Sequence, residues 1–489
     1  MAPGPDGITA EILLTTTEIT IETLSVLFTK IWEEEKLPDD WKEAHLIKLP
    51  KKGDLSECKN YRGISLLSVP SKIFSRIILN RIKTAVDSKL REEQAGFRNG
   101  RSCTDHIATL RIIVEQSMEW NSSLLITFID YEKAFDSVDR KVLWKLLKHY
   151  GIPSKIINLI KAMYDETTCR IVHGGTLTES FKVETGVWQG CLLSPFLFLL
   201  AVDWIMKTTT DGKRNGIQWS LWKQLEDLDF ADDIALLAHS NTQMQDKLQT
   251  LTRNSAMLGL QINTDKTKIM KCSKTCNNTI QIDGVPIEDV DHFTYLGSII
   301  DKEGGTERDV RQRIIKARTA FIQLNKFWAA KNIKINTKLR LFNTNVKTVL
   351  LYGSETWMMN NKIKQKIQTF INNCLRRILS IKWYDKIRNE VIWGKTEQVP
   401  IEQQIINKKW RWIGHTLRKS DSSIARQAML WNPQGKRRQG RPRNTWRRET
   451  MKVLNDTGLT WGKLENKSKN RDEWRDFVHG LCSPGSQGL

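Results

Sequence analysis

The chain of 489 residues is too long for a single hydrophobic core of ordinary size, so we expect two to four domains or subdomains. Its 76 lysines and arginines outnumber its 55 acidic residues by 21, and this excess favours a polyanionic partner such as nucleic acid. No membrane span is predicted, because the most apolar run, residues 191–206, is short and is interrupted by Ser194, Pro195 and Asp203.

The amino-terminal part is predicted to be mainly helical. Its opening, APGPDGI, is rich in turn-forming residues and begins so abruptly that we expect a piece of a longer protein. Amphipathic helices over residues 20–35 and 69–86 flank a strand at residues 44–49. The loop QAGFRNGR, residues 94–101, places glycines beside arginines. That composition allows close approach to phosphate, although many surface loops share it.

Strands alternate with helices over residues 124–272, which is typical of an α+β domain. The first strand, residues 124–130, is apolar and ends in Asp130. The further predicted elements are helices over residues 140–150 and 153–164, a hairpin around residues 173–175, a buried helix capped by Ser194, a helix over residues 240–258 and strands over residues 260–263 and 267–272.

The segment LDFADDIALLAH, residues 228–239, interrupts an apolar run with two adjacent carboxylates, Asp232 and Asp233. We interpret it as two buried strands joined by a turn, where both carboxylates can reach one spot. Unpaired anions at a core edge repel each other, and a divalent cation removes that conflict. The alternative is an ordinary hairpin whose polar turn is Asp-Asp. The second apolar strand ending in Asp130 favours a metal site for phosphoryl transfer.

Three motifs carry a resemblance to a known family: DYEKAF at residues 130–135, GVWQGCLLSP at 186–195 and FADD at 230–233. In order and spacing they closely resemble the reverse transcriptases of non-LTR (LINE-type) retrotransposons. The resemblance implies an α+β, right-hand polymerase fold with fingers, palm and thumb. Full-length relatives carry an endonuclease ahead of the polymerase, and we expect neither an endonuclease nor an RNase H domain in these residues.

The implied domain organisation has five parts. They are the fingers at 1–123, the palm with its catalytic carboxylates at 124–300, the start of the thumb at 301–335, a helical thumb or connection region at 336–399 and a basic, helical, Trp- and Arg-rich C-terminal region at 400–489.

Nucleotidyl transfer requires activation of a primer 3′ hydroxyl and neutralisation of a triphosphate, and two metal ions do both. We assign Asp130 and Asp232 as ligands shared by two Mg²⁺ ions, with Mn²⁺ as a possible substitute. The backbone carbonyl of Tyr131 is a further candidate ligand, and Asp233 is the weaker or outer one.

The resemblance implies roles for other residues. Phe135 would lie under the incoming sugar and exclude a 2′ hydroxyl, although it can also be read as a core residue. Gln189 and Gly190 match the motif that positions template and nucleotide, and Lys266 matches a lysine that stabilises or protonates the leaving pyrophosphate.

Basic residues in the predicted fingers match positions that contact template and incoming nucleotide, namely Lys51 with its neighbour Lys52 and Arg62. A solvated turn is the alternative for the lysines. Trp188 departs from the family pattern, because a bulky indole near the nucleotide would impair binding.

The carboxyl-terminal half is predicted to be helical and basic. Residues 293–299, FTYLGSI, resemble the primer grip of the family, and a basic helix over residues 308–328 would track a nucleic-acid duplex. Trp410 and Trp412 fit either base stacking or a core, whereas GKRRQGRPR at residues 435–443 favours nucleic acid.

The sequence thus predicts an RNA-directed DNA polymerase that extends a DNA primer on an RNA template with deoxynucleotides. The alternatives are a catalytically decayed nucleic-acid-binding remnant, which Trp188 favours, and a metal-dependent nuclease. We expect an intracellular protein, nuclear rather than cytoplasmic, without membrane association. The oligomeric state stays open.

Overall fold

The computed structural model describes residues 3–51, 53–272, 279–437, 439–440 and 442–482. Lys52, Arg438 and Arg441, which the sequence singles out, lie outside this part of the chain. The predicted helix at 69–86 begins at Val69, because Ser68 caps it and a proline occupies its first turn. The amino-terminal elements are α1 (Ala10–Thr15), α2 (Thr17–Glu34), β1 (Glu43–Pro50), β2 (Tyr61–Leu66), α3 (Val69–Asp87) and α4 (Cys103–Glu119).

A first sheet joins the amino-terminal part to the segment that precedes the GVWQGC motif. The next elements are β3 (Leu125–Ile129), α5 (Ala134–Ser137), α6 (Arg140–His149), α7 (Ser154–Ala162), β4 (Thr168–His173), β5 (Thr176–Leu177), β6 (Phe181–Lys182) and α8 (Ser194–Thr210). β1 pairs antiparallel with β2 and parallel with β4, and β4 forms the predicted hairpin with β5.

A second, central sheet contains the strands that carry the predicted catalytic carboxylates. It has the order β14-β11-β3-β10-β9, and all of its pairs are antiparallel except β11 with β14. The elements of this part are β7 (Ile217–Gln218), β8 (Gln224–Leu225), β9 (Asp227–Phe230), β10 (Asp233–Ala238), α9 (Asn241–Met257), β11 (Lys268–Lys271), β12 (Gln281–Ile282), β13 (Val285–Pro286), β14 (Glu288–Asp289), β15 (His292–Tyr295) and β16 (Ser298–Asp301).

Two sequence predictions in this part are wrong in detail. Ser194 does not cap α8, because it is the first residue of that helix and its hydroxyl lies 3.0 Å from the hydroxyl of Tyr164. Residues 260–263 form an isolated bridge from Ile262 to Tyr131 rather than a strand. The predicted cap of α9 is confirmed, since Ser240 forms a capping box with Gln243.

The helices that follow the β15–β16 hairpin bury a core of their own, which includes Phe342, Trp357, Ile367 and Leu375. The predicted helix at 308–328 is two helices separated at Leu324. The elements are α10 (Glu307–Gln323), α11 (Asn325–Ala329), α12 (Ile335–Leu341), α13 (Thr348–Leu350), α14 (Asn361–Ile378) and α15 (Asn389–Thr396), with a π-helical segment, Phe342–Lys347, joining α12 to α13.

The last helices share a core with one face of α4. They are α16 (Ile401–Leu417), α17 (Ile424–Ala428), α18 (Trp446–Asp456), α19 (Trp461–Lys469) and α20 (Arg471–Cys482). One face of α4 faces the central sheet, and Ala108 and Ile112 share a second core with Trp410 and Trp412. The core interpretation of these two tryptophans is therefore correct, and base stacking is not.

The basic segment at residues 435–443 is partly engaged within the protein. Arg437 Nε lies 2.8 Å from a carboxylate oxygen of Glu119 on α4. In the described part of the chain, no helix is both long and apolar enough to cross a bilayer.

Candidate active site

The ends of β3 and β10 bring the predicted catalytic carboxylates to one edge of the central sheet. Ile129 faces Ile234 across this antiparallel pair. Asp130 follows β3 and Asp233 opens β10, so the two aspartates take the next facing positions. Asp232 lies in the two-residue turn before β10, because Phe230 pairs with Asp233.

Asp130, Asp232 and Asp233 are close enough for their charges to interact. Loss of hydration raises the pKa of Asp232 and Asp233, although both side chains reach solvent. Repulsion from Asp232 and Asp130 adds to this effect, and the pKa of Asp233 rises to about 6. The Arg62 guanidinium acts on Asp232 in the opposite direction. This edge of the sheet therefore favours a positive charge.

Lys266 supplies one such charge. Its ammonium lies 3.4 Å from Oδ1 of Asp130, and its backbone N–H donates to Asn263. Among the described residues, no three Asp, Glu, His or Cys side chains converge on a common metal position. The strand ends that carry Asp130 and Asp233 are adjacent, as predicted.

The turn that carries Asp232 is held by a residue that sequence reasoning missed. Ala231 adopts a φ of 58°, which is costly for a residue with a side chain. The side-chain oxygen of the fully buried Gln94 accepts the backbone N–H groups of Ala231 at 3.0 Å and Gly96 at 2.8 Å. A Cβ at Gly96 would lie 2.3 Å from the nitrogen of Ala231, so only glycine fits there.

The loop that contains Gln94 is structural. Arg98 is buried and donates to Asp87 at 2.8 Å and to backbone oxygens of residues 91 and 94. Arg101 pairs with Glu92 at 2.7 Å. The charge of Arg98 is therefore used within the protein and is not available to a phosphate.

A buried ion cluster lies behind the turn. Arg91 donates to Asp227 at 2.8 Å and pairs with Asp229, while Asp203 accepts its backbone N–H at 3.0 Å. Burial and the neighbouring Asp227 raise the pKa of Asp229 well above its ordinary range. Two acidic residues in a buried strand were the available signal for a buried cation, which the sequence analysis did not use.

The GVWQGC segment connects the central sheet to the first sheet. The carbonyl of Phe135 accepts the N–H of Val187 at 2.7 Å, and the half-buried Phe135 ring stacks on Phe198 with centroids 4.6 Å apart. Gln189 accepts the N–H of Ser65 on β2 at 2.7 Å. A Cβ at Gly190 would lie 2.4 Å from the oxygen of Ser65, so this close approach requires glycine.

Trp188 lies in the main core. Its side chain is 7% exposed and stacks on Tyr164 at 6.5 Å. The expectation that this indole obstructs the nucleotide is therefore wrong. Trp188 no longer favours the interpretation of the chain as a catalytically decayed remnant.

The two predicted fingers cations are exposed. Arg62 pairs with Leu49 across the β1–β2 hairpin and is close enough to Asp232 to affect its pKa. Lys51 follows β1 and lies nearer Asp136, whose pKa is raised by burial and lowered in part by this lysine. The structure thus groups Arg62 and Lys266 with the aspartates and leaves Lys51 at the margin.

A two-sheet α+β framework with acidic strand ends near an exposed arginine of the β1–β2 hairpin is that of a right-hand nucleotide polymerase. Residues 49–300, more than half of the chain, match the family described as "Reverse transcriptase (RNA-dependent DNA polymerase)". The chain belongs to this family, and the resemblance found in its motifs is confirmed. Residues 320–352 also match a domain of unknown function.

The curated relatives are proteins of mobile elements. The chain is 25% identical over 393 residues to the "Transposon TX1 uncharacterized 149 kDa protein" of Xenopus laevis, covering 79% of this chain and 29% of that protein. It is 25% identical to the "Probable RNA-directed DNA polymerase from transposon BS" of Drosophila melanogaster, covering 88% and 48%. It is 23% identical to the "RNA-directed DNA polymerase from mobile element jockey" of Drosophila funebris, covering 94% and 50%. The chain therefore spans half or less of the length of these three relatives.

Solved structures with a similar arrangement include telomerases. Apo telomerase from Candida tropicalis aligns with a TM-score of 0.42 and 14% identity, covering 83% of this chain and 68% of that one. Telomerase from Candida albicans, in complex with a fragment of telomeric RNA, aligns with a TM-score of 0.37 and 13% identity over the same shares.

Proposed function

We propose that this chain is the polymerase of a non-LTR retrotransposon, which extends the 3′ hydroxyl of a DNA primer on an RNA template with deoxynucleotides. The observation that carries the proposal is the placement of Asp130, Asp232 and Asp233 at adjoining strand ends, where burial and repulsion between neighbouring carboxylates raise the pKa values of Asp232 and Asp233. Family membership supports the reaction class.

The donor set fits a hard divalent cation, because carboxylate oxygens are the ligands that Mg²⁺ and Mn²⁺ prefer. Asp130 and Asp232 would hold the ions, with the carbonyl of Tyr131 as a further ligand and Asp233 as the weaker or outer one. When bound, two such ions lower the pKa of the primer hydroxyl and neutralise the triphosphate.

The other residues of the site position substrate. The Lys266 ammonium lies beside Asp130 in this structure, and it would neutralise or protonate the leaving pyrophosphate. Phe135, fixed by Phe198 and Val187, would exclude a 2′ hydroxyl. Gln189 and Gly190 would hold template and nucleotide against β2, and Arg62 on β2 and the more distant Lys51 after β1 would contact the phosphates.

The exposed cations of α10 support a role in holding the primer–template duplex. A groove of about 800 Å³ between α10 and α14 is lined by Arg311, Arg318, Lys362, Lys366 and Arg377. Phosphate neutralisation dominates the affinity of proteins for duplexes. Arg313, included in the predicted basic face, is instead buried beside Asp309 and the ring of Tyr352.

Primer extension on an RNA template tests the proposal. The variant Asp232→Asn removes a charged metal ligand, so we expect the rate with Mg²⁺ to fall by roughly 100-fold or more. The matched control is Asp139→Asn, which makes the same chemical change at the cap of α6. Asn caps a helix about as well as Asp, so this variant should remain active.

Other outcomes identify the alternatives. Shortening of the labelled primer by the unmodified protein would indicate a metal-dependent nuclease. Binding of the primer–template without any change in primer length would indicate a decayed, nucleic-acid-binding remnant.

A further inference from the structure

An aromatic pair lies exposed on the short segment between α14 and α15. Trp383 is 87% exposed, the largest value among the large hydrophobic side chains of the described residues, and the adjacent Tyr384 is 61% exposed. Their ring centroids are 5.9 Å apart. Large aromatic rings are normally buried in a folded protein. Two neighbouring rings that are exposed therefore indicate a binding surface.

The segment holds a defined conformation. The backbone N–H of Lys382 donates to a carboxylate oxygen of Asp385 at 2.6 Å, and the N–H of Asp385 donates back to the carbonyl of Lys382 at 3.1 Å. Ile381 and Ile387, on either side, pack against the core of the thumb helices. The rings are therefore presented by a turn that is fixed at both ends.

Cations surround the rings. Lys382, Lys386 and Arg388 are all exposed, and none of them forms an ion pair with a carboxylate in the described part of the chain. The acidic side chain between them, Asp385, is engaged by the turn. Exposed rings can stack on the bases of a single strand, and the cations beside them can contact the phosphates that join those bases. A duplex offers its phosphates but keeps its bases stacked on each other.

We propose that residues 382–388, the aromatic turn, bind single-stranded RNA by stacking of bases on Trp383 and Tyr384 and by contacts of phosphates with the three cations. The choice of RNA rests on the function proposed above, in which the template ahead of the cleft is unpaired RNA and the DNA product is paired. The aromatic turn lies between α14 and α15, whose core is distinct from the core that contains Ile129 and Ile234 of the carboxylate-bearing strands.

Two variants separate the two kinds of contact. Affinity for a labelled, unstructured single-stranded RNA is measured by fluorescence anisotropy over a range of salt concentrations, without metal or deoxynucleotides. Trp383→Ala with Tyr384→Ala should weaken binding by about 10-fold and leave the salt dependence unchanged. Replacing Lys382, Lys386 and Arg388 by alanine should reduce the slope of log affinity against log salt by about 2.

The matched control is Trp222→Ala. Trp222 is 80% exposed, but the cations that line the recess beside it (Arg91, Lys207, Lys213 and Arg214) are matched in number by carboxylates (Glu93, Asp211, Glu226 and Asp227), so this variant should bind RNA like the unmodified protein. Unchanged RNA affinity in the Trp383 and Tyr384 variant would overturn the proposal. An equal loss in the Trp222 variant, or tighter binding of single-stranded DNA of the same sequence, would do so as well.

The binding test is independent of catalysis. The inactive variant Asp232→Asn should bind the single-stranded RNA with unchanged affinity, so a protein that binds RNA at the aromatic turn but fails to extend a primer contradicts only the polymerase proposal. The side chains exchanged are exposed, so an unchanged melting temperature establishes that a loss of affinity is local.

Discussion

Glu115 is a buried carboxyl group where α4 meets α18. Its side chain accepts the backbone N–H of Trp446 at 2.9 Å, and burial raises its pKa to about 7 against the pull of Arg111 and Lys409. Because the folded pKa lies above the unfolded one, the folded state binds the proton more tightly. The contribution of Glu115 protonation to the stability of the fold is therefore greatest below about pH 4.5, and it is lost as the pH rises towards 7.

Replacement of Glu115 by Gln keeps an acceptor for Trp446 and removes the ionisation. The melting temperature of Glu115→Gln should exceed that of the unmodified protein at pH 8, by an amount equivalent to at most about 3 kcal/mol, and the difference should shrink at pH 5. The exposed Glu22→Gln is the control and should show no such pH dependence. A difference that is constant between pH 5 and 8 would contradict the assignment.

At the scale of elements, the loop that precedes α4 supports the hairpin of β9 and β10. Gln94→Met keeps the shape of the side chain but leaves the N–H of Ala231 without its acceptor, at a cost of about 1–3 kcal/mol. The turn should then lose its geometry, and primer extension should fall by about 10-fold or more while the fold persists. Steady-state rates and circular dichroism measure the two effects.

Gln245 provides a matched control, because its side-chain oxygen also accepts a backbone N–H, that of Gln281, at 3.0 Å far from the carboxylates. Gln245→Met should therefore leave primer extension intact. Equal losses in both variants would show that Gln94 supports the fold in general rather than the catalytic turn.

Local sequence patterns predicted which strands and turns form the site, but they did not predict which side chains contact one another there. The apolar runs at β3 and β10 and the short motifs around Asp130 and Asp232 were sufficient to identify strands that end in carboxylates. Gln94 was missed because its partner Ala231 lies 137 residues away and a glutamine in a polar loop has no local signature. Trp188 was misjudged for the same reason, since its neighbour Tyr164 is set by packing and not by motif.

At the scale of the whole molecule, Asp105 connects α4 to the C-terminal helices. It accepts the indole N–H of Trp412 at 3.0 Å and pairs with the ammonium of Lys419 at 2.7 Å. Lys419→Met leaves this buried carboxylate without its cation, so we expect a loss of about 3 kcal/mol in the free energy of unfolding. Hydrogen exchange should increase first in α16 and α18.

The pair of Lys213 with Asp246, at 3.1 Å, is the control for this loss. The lysine and aspartate side chains are 34% and 53% exposed, and ion pairs so exposed contribute less than about 1 kcal/mol to the free energy of unfolding. Lys213→Met should therefore change stability little. Similar losses in the two lysine variants would contradict a special role for the contact at Asp105.

The burial of α4 on opposite faces has a consequence for biosynthesis. The ribosome synthesises this helix roughly 300 residues before Trp410 and Trp446, the partners of Ala108 and Ile112. Until those partners are synthesised, the nascent chain exposes the apolar face of α4 that contains Ala108 and Ile112, and such a face favours chaperone binding or aggregation. A chain truncated before residue 401 would keep that face exposed, so the helices from residue 401 onward should protect the preceding residues from aggregation.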